Sequence, residues 1–563
     1  MIRKIGIIGR TYRHMQRYRQ ILTVLFKYGF GDLVDSLNVE QYLEIGLQMV
    51  SRKRRKKTEK LTKAARLRIA LEELGPTFIK LGQILSTRPD FLPVEFIKEL
   101  EKLQDDVPPF PGVQAKTIIE SELGRPIEDV FEHFEESPIA SASLGQVHRA
   151  RLADGEIAAV KVQRPDIRKT IEVDLEILLH MATLMEKHLE GWEIHKPTRI
   201  VAEFSSSLEK ELDYNIEASH MEMFARNFPD DPTVYVPKVF HEATTKRILC
   251  MEYIEGIKPS DIQGLEESGL DRKAIASRGG DLIMKQIFVH GFFHADPHPG
   301  NLRILPDNVI CYLDFGMMGR IDRQARENFA ELAIGVIKRD EVKASEALLK
   351  LTHFPEKPDI RLLQRDVAEF MEQHFYGPLK DLDLGTLLHQ LLNIVSRHHL
   401  GLYPELYLML KAMSTVEGLG RLLDPDFDIT GQAAPFIRRI RMERINPRRI
   451  FDEVTNSGAE ILRLLKEIPG ELSEILHLAG EGKIKMEFEH TGLEPLLSSH
   501  EKNSNQLAFA IVLASLVIGS SLIVLSDVPP KWHEIPVIGL AGFLVAGMMG
   551  FWLLVSILKR GKM

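Results

Sequence analysis

The chain has 563 residues, of which 44% are hydrophobic and 27% charged, and its formal net charge is −8 with an isoelectric point near 6.2. The length allows several domains, and the hydrophobic content is sufficient for packed cores. The acidic balance gives no overall reason to expect nucleic-acid binding. Cys250 and Cys311, the two cysteines, lie in apolar strand-like runs. We therefore expect buried thiols in a reducing compartment, without a disulfide framework.

The N-terminal region, residues 1–62, is basic. Arginines interrupt its apolar stretches, so it is not a secretory signal, and the apolar residues of 21–26 predict a basic amphipathic helix. A compact basic run, RKRRKK, follows at 52–57. At an anionic membrane surface each such residue gains about 1 kcal/mol. Nucleic-acid binding and a solvated linker are the alternatives, and the apolar C-terminus favours the membrane.

A short helix is predicted over Gly75–Leu85, with Pro76 suited to its first turn. Lys80 and Gln83 are three residues apart and project from one face. Gly82 costs the helix about 1 kcal/mol but permits close packing. The residues alone indicate a docking helix with a polar edge.

A strand, a turn and a second strand are predicted over 138–151 and 157–162. A protein kinase carries its glycine-rich phosphate loop at this first turn. The residues here are Ala140, Ser141, Ala142 and Ser143, followed by the single glycine Gly145. Alanine excludes the left-handed conformations that glycine permits, so we expect this loop to hold nucleotide phosphates in a different way.

Lys161 lies between valines on the second strand, as does the kinase lysine that pairs with the α- and β-phosphates and with a helix glutamate. Residues 166–190 predict an inserted helix, and 198–227 a second helix. We assign Glu217 in the second helix as the partner of Lys161, with Glu211 and Asp213 one to two turns earlier. A solvent-facing lysine and a solvated acidic face are the alternatives.

Two further strands are predicted over 234–239 and 247–253. The second ends in Met251, Glu252 and Tyr253, which occupy the place of the hinge whose backbone holds adenine in a kinase. Residues 322–481 are predicted to be mainly helical, without a second catalytic set.

The stretch 290–316 carries the predicted catalytic centre. Asp296 and Asn301 are five residues apart, and a β-hairpin is predicted from Leu302 to Leu313, with its turn at 306–308. This hairpin would return Asp314 beside Asn301 and so offer oxygen ligands to Mg²⁺. Kinases use such an Asp, Asn and Asp-Phe-Gly set in this order. The sequence therefore predicts ATP and Mg²⁺ binding.

Two uncharged apolar segments, 507–525 and 535–558, are each long enough to cross a hydrocarbon core of about 30 Å. The short connection predicts a helical hairpin, which the small residues Gly542, Ala546 and Gly550 would help to pack. Lys559, Arg560 and Lys562 follow, and this excess of positive charge places the C-terminus in the cytoplasm. Two crossings would leave both termini there. A buried hairpin in a soluble protein is the alternative.

Five motifs together resemble the UbiB family of atypical kinases. They are KLGQ at 80–83, the alanine/serine loop at 140–143, ELD at 211–213, HADPHPGN at 294–301 and DFG at 314–316. The resemblance implies that Lys80 and Gln83 lie on a regulatory helix that occludes the protein-substrate position, with Lys80 reaching toward Glu211, Asp213 and Asp314. It further implies lipid-stimulated ATPase activity in ubiquinone biosynthesis.

The expected architecture is an α+β, protein-kinase-like fold with two lobes, a helical N-terminal extension and a transmembrane hairpin. We predict basic membrane-proximal helices at 1–62, the extension at 63–125, the two lobes at 126–256 and 257–500, and the hairpin at 501–563. Expected partners are anionic membrane lipids, isoprenoid quinone precursors and quinone-biosynthesis enzymes at the inner membrane, and no nucleic acid. A small-molecule or lipid kinase and a nucleotide-binding scaffold are the alternative functions.

Overall fold

The computed structural model describes residues 8–32, 61–88, 91–103, 107–189, 196–354, 357–375, 382–444, 494–526, 529–532 and 535–560. The predicted basic run at 52–57, Lys562, the stretch 445–481 and most of the predicted segment 1–62 lie outside these ranges. The chain forms two units, Met1–Glu453 and Val454–Met563. Each is described by itself.

Helices form the N-terminal part of the first unit. They are α1 (Ile8–Lys27), α2 (Lys63–Leu74), α3 (Pro76–Ser86), α4 (Val94–Leu100) and α5 (Gly112–Leu123). The predicted docking helix is thus α3, with Pro76 in its first turn. Gly75 separates it from α2 at φ 95°, a conformation that favours glycine. Tyr18, Ile21, Leu22 and Val24 of α1 are buried in a core shared with α2 and α3, so this part of α1 packs on protein.

The first lobe is built on an antiparallel sheet. Its strands are β1 (Phe131–Phe134), β2 (Ala140–Ser141), β3 (Gly145–Leu152), β4 (Ile157–Gln163) and, later in the chain, β6 (Ile248–Glu252). The order is β1-β3-β4-β6, with β2 paired to β3. Ala158, Val160 and Val162 of β4 share one buried core. Because successive side chains of a strand point to opposite faces, Lys161 lies on the other face.

The described residues between β4 and β6 form three α-helices: α6 (Ile167–His188), α7 (Pro197–Glu211) and α8 (Tyr214–Asn227). The single helix predicted over 198–227 is therefore two helices. Asp213 causes the break, because it has an extended backbone and its side chain caps α8 by accepting from the Asn215 N–H. Aspartate is favoured at this position. Glu211 and Asp213 consequently lie at a corner between helices.

The second lobe contains the predicted hairpin as β8 (Leu302–Leu305) and β9 (Val309–Tyr312), which pair antiparallel. The strand predicted over 234–239 is found in two parts: the two-residue β5 (Val234–Tyr235) pairs in parallel with β9, and Val239 forms an isolated antiparallel bridge with Met251 of β6. Strand β7 (Phe292–His294) pairs with β10 (Met318–Arg320).

Helices surround these strands. They are α9 (Ile262–Glu267), α10 (Arg272–Met284), α11 (Arg323–Ile337), α12 (Glu341–Lys350), α13 (Ile360–His374), α14 (Leu384–Arg397), α15 (Pro404–Leu423) and α16 (Ile429–Arg444), with β11 (Thr352–His353) and β12 (Gly401–Leu402) between them. A six-residue π-helix, Lys285–His290, continues α10. Residues from these helices and from β7 to β9 share one apolar core. The strands of the predicted catalytic stretch are therefore anchored in buried structure.

The second unit contains α17 (Glu494–Leu525) and α18 (Val537–Arg560), with the short strands β13 (Lys531–Trp532) and β14 (Ile535–Pro536) between them. The two helices pack antiparallel, and a Cβ atom at Gly542 would collide with Ser520. Among the described residues, Leu507–Leu525 is long and apolar enough to cross a membrane, with a mean hydropathy of 2.6. Val537–Phe551 is a shorter apolar stretch.

Candidate active site

Lys161 pairs with Glu217 across the cleft between β4 and α8. Its Nζ atom donates to both carboxylate oxygens of Glu217 at 2.9 Å. It also approaches Oδ2 of Asp314 to 3.5 Å and lies 5.2 Å from the ring centre of Tyr214. The sequence-predicted lysine–glutamate pair is thus present, and Asp314 of the predicted metal site lies next to it.

The charges of Lys161 and Asp314 stabilise each other, whereas burial raises the pKa of Glu217. Burial alone would lower the pKa of Lys161, but the carboxylates of Asp314 and Glu217 outweigh it and raise that pKa well above its ordinary value. Burial alone would raise the pKa of Asp314, but the charge of Lys161 and the Gly316 N–H hold that pKa well below its usual range. Lys161 and Asp314 are therefore both charged at neutral pH.

His294 joins the two halves of the catalytic stretch. The Asp296 N–H donates to His294 Nδ1 at 3.1 Å, so the ring proton resides on Nε2, which donates to the backbone oxygen of Asp314 at 2.6 Å. Burial lowers the pKa of His294, so the ring is neutral at neutral pH. Its backbone N–H is held by Gln286 at 2.9 Å. This histidine fixes Asp296 and Asp314 relative to each other.

The β8–β9 hairpin places Asn301 beside the Asp314 segment, since the Leu313 N–H donates to the backbone oxygen of Asn301 at 2.9 Å. The Asn301 amide group donates to the Asp296 carbonyl at 3.4 Å, which leaves its side-chain oxygen as a ligand. One ionised carboxylate and one amide oxygen suit Mg²⁺, which takes few protein ligands and completes its shell with phosphate and water. The described residues contain no cluster of three or more His, Cys, Asp or Glu side chains suited to a metal.

The alanine/serine loop forms a tight hairpin in which Ala140 pairs with Val147 and Ser141 with Gln146. Arg164, just after β4, holds it from one side. The guanidinium donates to the Ala142 carbonyl at 3.0 Å and to the Ser141 hydroxyl at 2.9 Å, and also to the Pro108 carbonyl at 2.9 Å. Arg164 therefore attaches the loop to the segment of the extension between α4 and α5. Ser143 is fully buried, and its hydroxyl has no partner in the described part of the chain.

Gly145 is required where the loop meets α8. A Cβ atom there would lie 2.5 Å from the Tyr214 hydroxyl and 2.6 Å from the Val162 carbonyl oxygen. Tyr214 is buried, and within the described structure its hydroxyl also lacks a hydrogen-bond partner. Burial raises the pKa of Tyr214, so the phenol keeps its proton and remains a donor.

Glu252 and Tyr253 of the predicted hinge each have defined contacts. The side chain of Glu252 accepts from the Tyr235 hydroxyl at 2.8 Å and from the Lys238 N–H at 3.2 Å. The Tyr253 N–H donates to the Ile157 carbonyl at 3.0 Å, and its ring lies 4.8 Å from the Arg149 guanidinium. These side-chain contacts fix the shape of the strand end. The role of this backbone in binding adenine stays a prediction.

The extension reaches the corner between α7 and α8 through Lys80, whose Nζ lies 3.2 Å from Glu211. Gln83 on the same helix donates to the Leu103 carbonyl at 3.4 Å and so binds α3 to the chain after α4. Asp213 serves as the cap of α8 and lies 3.9 Å from Lys246. The structure therefore brings Lys80 to Glu211 and assigns Gln83 and Asp213 to structural contacts. Their regulatory roles stay predictions.

Sequence reasoning missed several residues that position the site. His294 was visible inside the HADPHPGN motif, where it precedes Asp296 by two residues. Tyr214, Arg164 and Gln286 gave no signal, because each acts through contacts between segments far apart in the chain. His220 belongs with them, since its ring bonds to the Phe315 carbonyl at 3.0 Å.

A strand lysine paired with a helix glutamate, an Asp-x4-Asn loop and a hairpin that returns an Asp-Phe-Gly together define a protein-kinase-like fold. Three family models match the chain: an ABC1 atypical kinase-like domain at 102–348, a UbiB helical domain at 367–428 and an ABC1/UbiB kinase-like C-terminal domain at 491–559. The chain belongs to the ABC1/UbiB family, and the resemblance predicted from its motifs is confirmed.

Individual relatives cover almost the whole chain. A probable protein kinase UbiB from Xanthomonas campestris is 33% identical and aligns over 97% of this chain and 99% of its own. A second, from Marinobacter nauticus, is 34% identical over 87% of this chain and 91% of its own. An uncharacterized protein in the hydrogenase 1 5′ region of Clostridium pasteurianum is 32% identical over 97% and 99%.

Proposed function

We propose that this protein is a membrane-anchored ATPase of the UbiB type, which binds Mg²⁺–ATP and transfers the γ-phosphoryl group chiefly to water. The observation that carries the proposal is the charged cluster in which Lys161 contacts both Glu217 and Asp314. A cation held between two carboxylates, beside an Asp-x4-Asn loop, supports phosphoryl transfer by positioning and charge stabilisation.

Each residue has a defined part in this proposal. Lys161 binds the α- and β-phosphates, and Glu217 keeps it extended toward them. Asn301 and Asp314 hold Mg²⁺, which when bound neutralises charge on the phosphates. Asp296 orients the water and accepts its proton as the bond between the γ-phosphorus and its bridging oxygen breaks, so that ADP and phosphate leave.

The alanine/serine loop, residues 140–143, lies over the phosphates in this proposal. Its backbone is fixed by Arg164, and Tyr214 and Ser143 supply buried hydroxyl groups nearby. Glu252 and Tyr253 form the strand end against which adenine binds. A buried polar group without a hydrogen-bond partner is costly. Binding of a nucleotide that gave these hydroxyl groups a partner would therefore be favoured.

The extension restrains this site in the proposal. The contact from Lys80 to Glu211 joins α3 to the corner that precedes Glu217 by only a few residues. Membrane contact would shift α3, release the restraint and couple hydrolysis to the movement of a hydrophobic quinone precursor. In this proposal Gln83 fixes α3 through its bond to Leu103, and Asp213 fixes the start of α8 as its cap.

The proposed place of action is the cytoplasmic face of the inner membrane, in isoprenoid quinone biosynthesis. The names of the UbiB relatives support the pathway, and the apolar helix Leu507–Leu525 supports an anchor. In this proposal Val537–Arg560 is the second crossing, both termini are cytoplasmic, and anionic lipids and quinone-biosynthesis enzymes are the partners.

The proposal is tested by following the label of γ-labelled ATP in the presence of the purified full chain and a membrane lipid extract. We expect label in free phosphate, and its loss in Asp296→Asn. Label in an extractable lipid would instead identify a lipid kinase. Restoration of quinone synthesis by Asp314→Asn in cells that lack the protein would identify a nucleotide-binding scaffold.

A further inference from the structure

A cleft of about 280 Å³ lies in the second lobe, outside the candidate active site, between the π-helix, α11 and α16. Three arginines line it: Arg323, Arg326 and Arg439. Apolar side chains, among them Phe288, Phe436 and Ile440, form the rest of its wall. Clefts that combine apolar walls with a few fixed polar groups are typical of ligand sites.

Arg326 is held in place by backbone carbonyls, whereas Arg323 and Arg439 are mostly exposed and each pairs with a glutamate one turn along its helix. Arg326 donates to the carbonyls of Phe288 and Val289 at 2.8 and 3.1 Å. Arg323 donates through Nε to Glu327 at 3.1 Å, and Arg439 donates through Nε to Glu443 at 2.9 Å. Both ion pairs use Nε, so within the described structure the terminal amino groups of Arg323 and Arg439 can bind a further acceptor.

The net charge of the cleft indicates that the ligand carries an anionic group. Three guanidinium groups face two carboxylates, those of Glu327 and Glu443, so the balance is one positive charge. Guanidinium forks bind phosphate through paired hydrogen bonds. The aromatic wall, where Phe288 and Phe436 lie 6.4 Å apart between ring centres, suits an apolar chain attached to that phosphate.

The cleft is also connected to the catalytic loop. Phe288 and Val289 belong to the π-helix, a conformation often found at functional sites. In the same π-helix, Gln286 holds the His294 N–H at 2.9 Å and the Tyr312 hydroxyl at 3.0 Å. His294 in turn fixes Asp296 and Asp314. One continuous set of contacts therefore runs from the cleft to the catalytic aspartates.

We propose that this cleft binds a phosphate ester that carries an apolar chain, and that its occupancy is transmitted to the nucleotide site through the π-helix and His294. The ligand is either a lipid phosphate within a bilayer or a soluble phosphate ester. The transmission rests on the nucleotide binding proposed above, whereas the binding of the ester does not.

The test is a calorimetric titration of n-octyl phosphate into the full chain in an uncharged detergent, without nucleotide. We expect saturable binding that weakens about tenfold in Arg323→Gln and in Arg439→Gln, the loss of one charge-assisted hydrogen bond. Arg438→Gln and Arg441→Gln, at exposed positions of α16 outside the cleft, should bind as the wild type does. Arg326 is left in place because its bonds to two carbonyls support the fold.

Two comparisons identify the ligand class. Octanol and inorganic phosphate should each bind more weakly than octyl phosphate. If either binds as tightly as octyl phosphate, the proposal is overturned. It is also overturned if Arg438→Gln and Arg439→Gln bind octyl phosphate with equal affinity. Displacement of octyl phosphate by phosphatidic acid in phosphatidylcholine vesicles would support a bilayer lipid as the source, and displacement by soluble esters alone would support a free phosphate ester. If Arg439→Gln does not fold, Arg439→Lys replaces it. Lysine keeps the positive charge but lacks the paired N–H groups of the guanidinium, so this variant should also bind octyl phosphate more weakly.

The transmission is tested by measuring nucleotide affinity with and without octyl phosphate. Linkage requires that the ester change nucleotide affinity by the same factor as nucleotide changes the affinity of the ester. A change in the wild type that is absent in Arg439→Gln supports the proposal. Saturable ester binding with unchanged nucleotide affinity would overturn the transmission, and absent ester binding would overturn the site while leaving the proposed ATPase intact.

Discussion

Lys80 and Glu211 lie 3.2 Å apart, and their side chains are only 15% and 18% exposed. This ion pair joins the extension to the corner between α7 and α8. Because Glu217 follows on α8, a movement of the corner changes the position of the partner of Lys161. We therefore expect Lys80→Gln to change ATP turnover or nucleotide affinity by about tenfold, the value of one partly buried charged contact.

The matched control for Lys80→Gln is Lys98→Gln, at an exposed position of α4 in the same extension. It should leave the steady-state kinetics and the nucleotide affinity as they are in the wild type. If Lys80→Gln also leaves both unchanged, the extension does not restrain the site.

The second prediction concerns Arg17 and Asp174, which fasten α1 to α6. Arg17 donates to both oxygens of the fully buried Asp174 carboxylate, at 2.6 and 2.9 Å, and to the Leu74 carbonyl at 2.8 Å. Arg17→Gln leaves a buried charge without its partner, so we expect a loss of about 3–5 kcal/mol in the free energy of unfolding.

A double-mutant cycle with Asp174→Asn measures this coupling by denaturant unfolding. The second substitution should recover part of the loss, because it removes the unpaired charge. Arg168→Gln, at an exposed position of α6, should have little effect. Additive effects of the two substitutions would show that the pair is not coupled.

Gly145 provides a steric test of the nucleotide loop. An added methyl group would meet the Tyr214 hydroxyl and the backbone oxygen of Val162, and the second atom cannot rotate away. We expect Gly145→Ala to destabilise the protein by about 1–3 kcal/mol and to weaken nucleotide binding. Tyr214→Phe should restore part of the stability. Gly418→Ala on α15, where nothing lies within 4 Å, is the control for thermal unfolding and should cause no loss.

The pH dependence of stability tests the neutral state of His294. Its pKa is lowered by burial, so below its ordinary value of 6.5 the unfolded chain binds a proton that the folded chain does not. The stability that His294 contributes is full above about pH 6.5 and is lost as the pH falls through its folded-state pKa. The ionisable groups that act on the ring, Asp314, Asp296 and His298, are all retained in His294→Asn.

Comparison of wild-type and His294→Asn melting curves across this range isolates that one group. The free energy of unfolding of the wild type should fall more steeply toward acid pH than that of His294→Asn, by up to about 1.4 kcal/mol per pH unit. Parallel curves would show that the folded protein protonates His294 as readily as the unfolded chain does.

The sequence predicted the parts of this protein that local patterns determine. The β8–β9 hairpin, the strand that carries Lys161 and its pairing with Glu217 followed from motif order and residue alternation. The corner at Asp213 did not, because a single capping side chain divides a stretch that is otherwise helical in pattern. The parallel pairing of β5 with β9 did not follow from the sequence for a related reason: a two-residue strand does not reveal which distant strand it joins.

The contacts that position the site were harder to predict, since each depends on segments that meet only in the folded chain. Arg164 connects the loop to residue 108, and Gln286 connects the π-helix to His294. Neither residue lies in a motif with a periodic or spaced signature. The tertiary structure was needed to reveal them.

The most direct test of a membrane-coupled ATPase is phosphate release by the purified full chain, with and without vesicles that contain anionic lipid. Asp314→Asn is the blank, because it removes the carboxylate that contacts Lys161 and that we propose as a metal ligand. Our account predicts lipid-stimulated phosphate release that is lost in Asp314→Asn. Turnover no higher than that of the blank under every condition, with nucleotide still bound, would contradict it and would favour a nucleotide-binding scaffold.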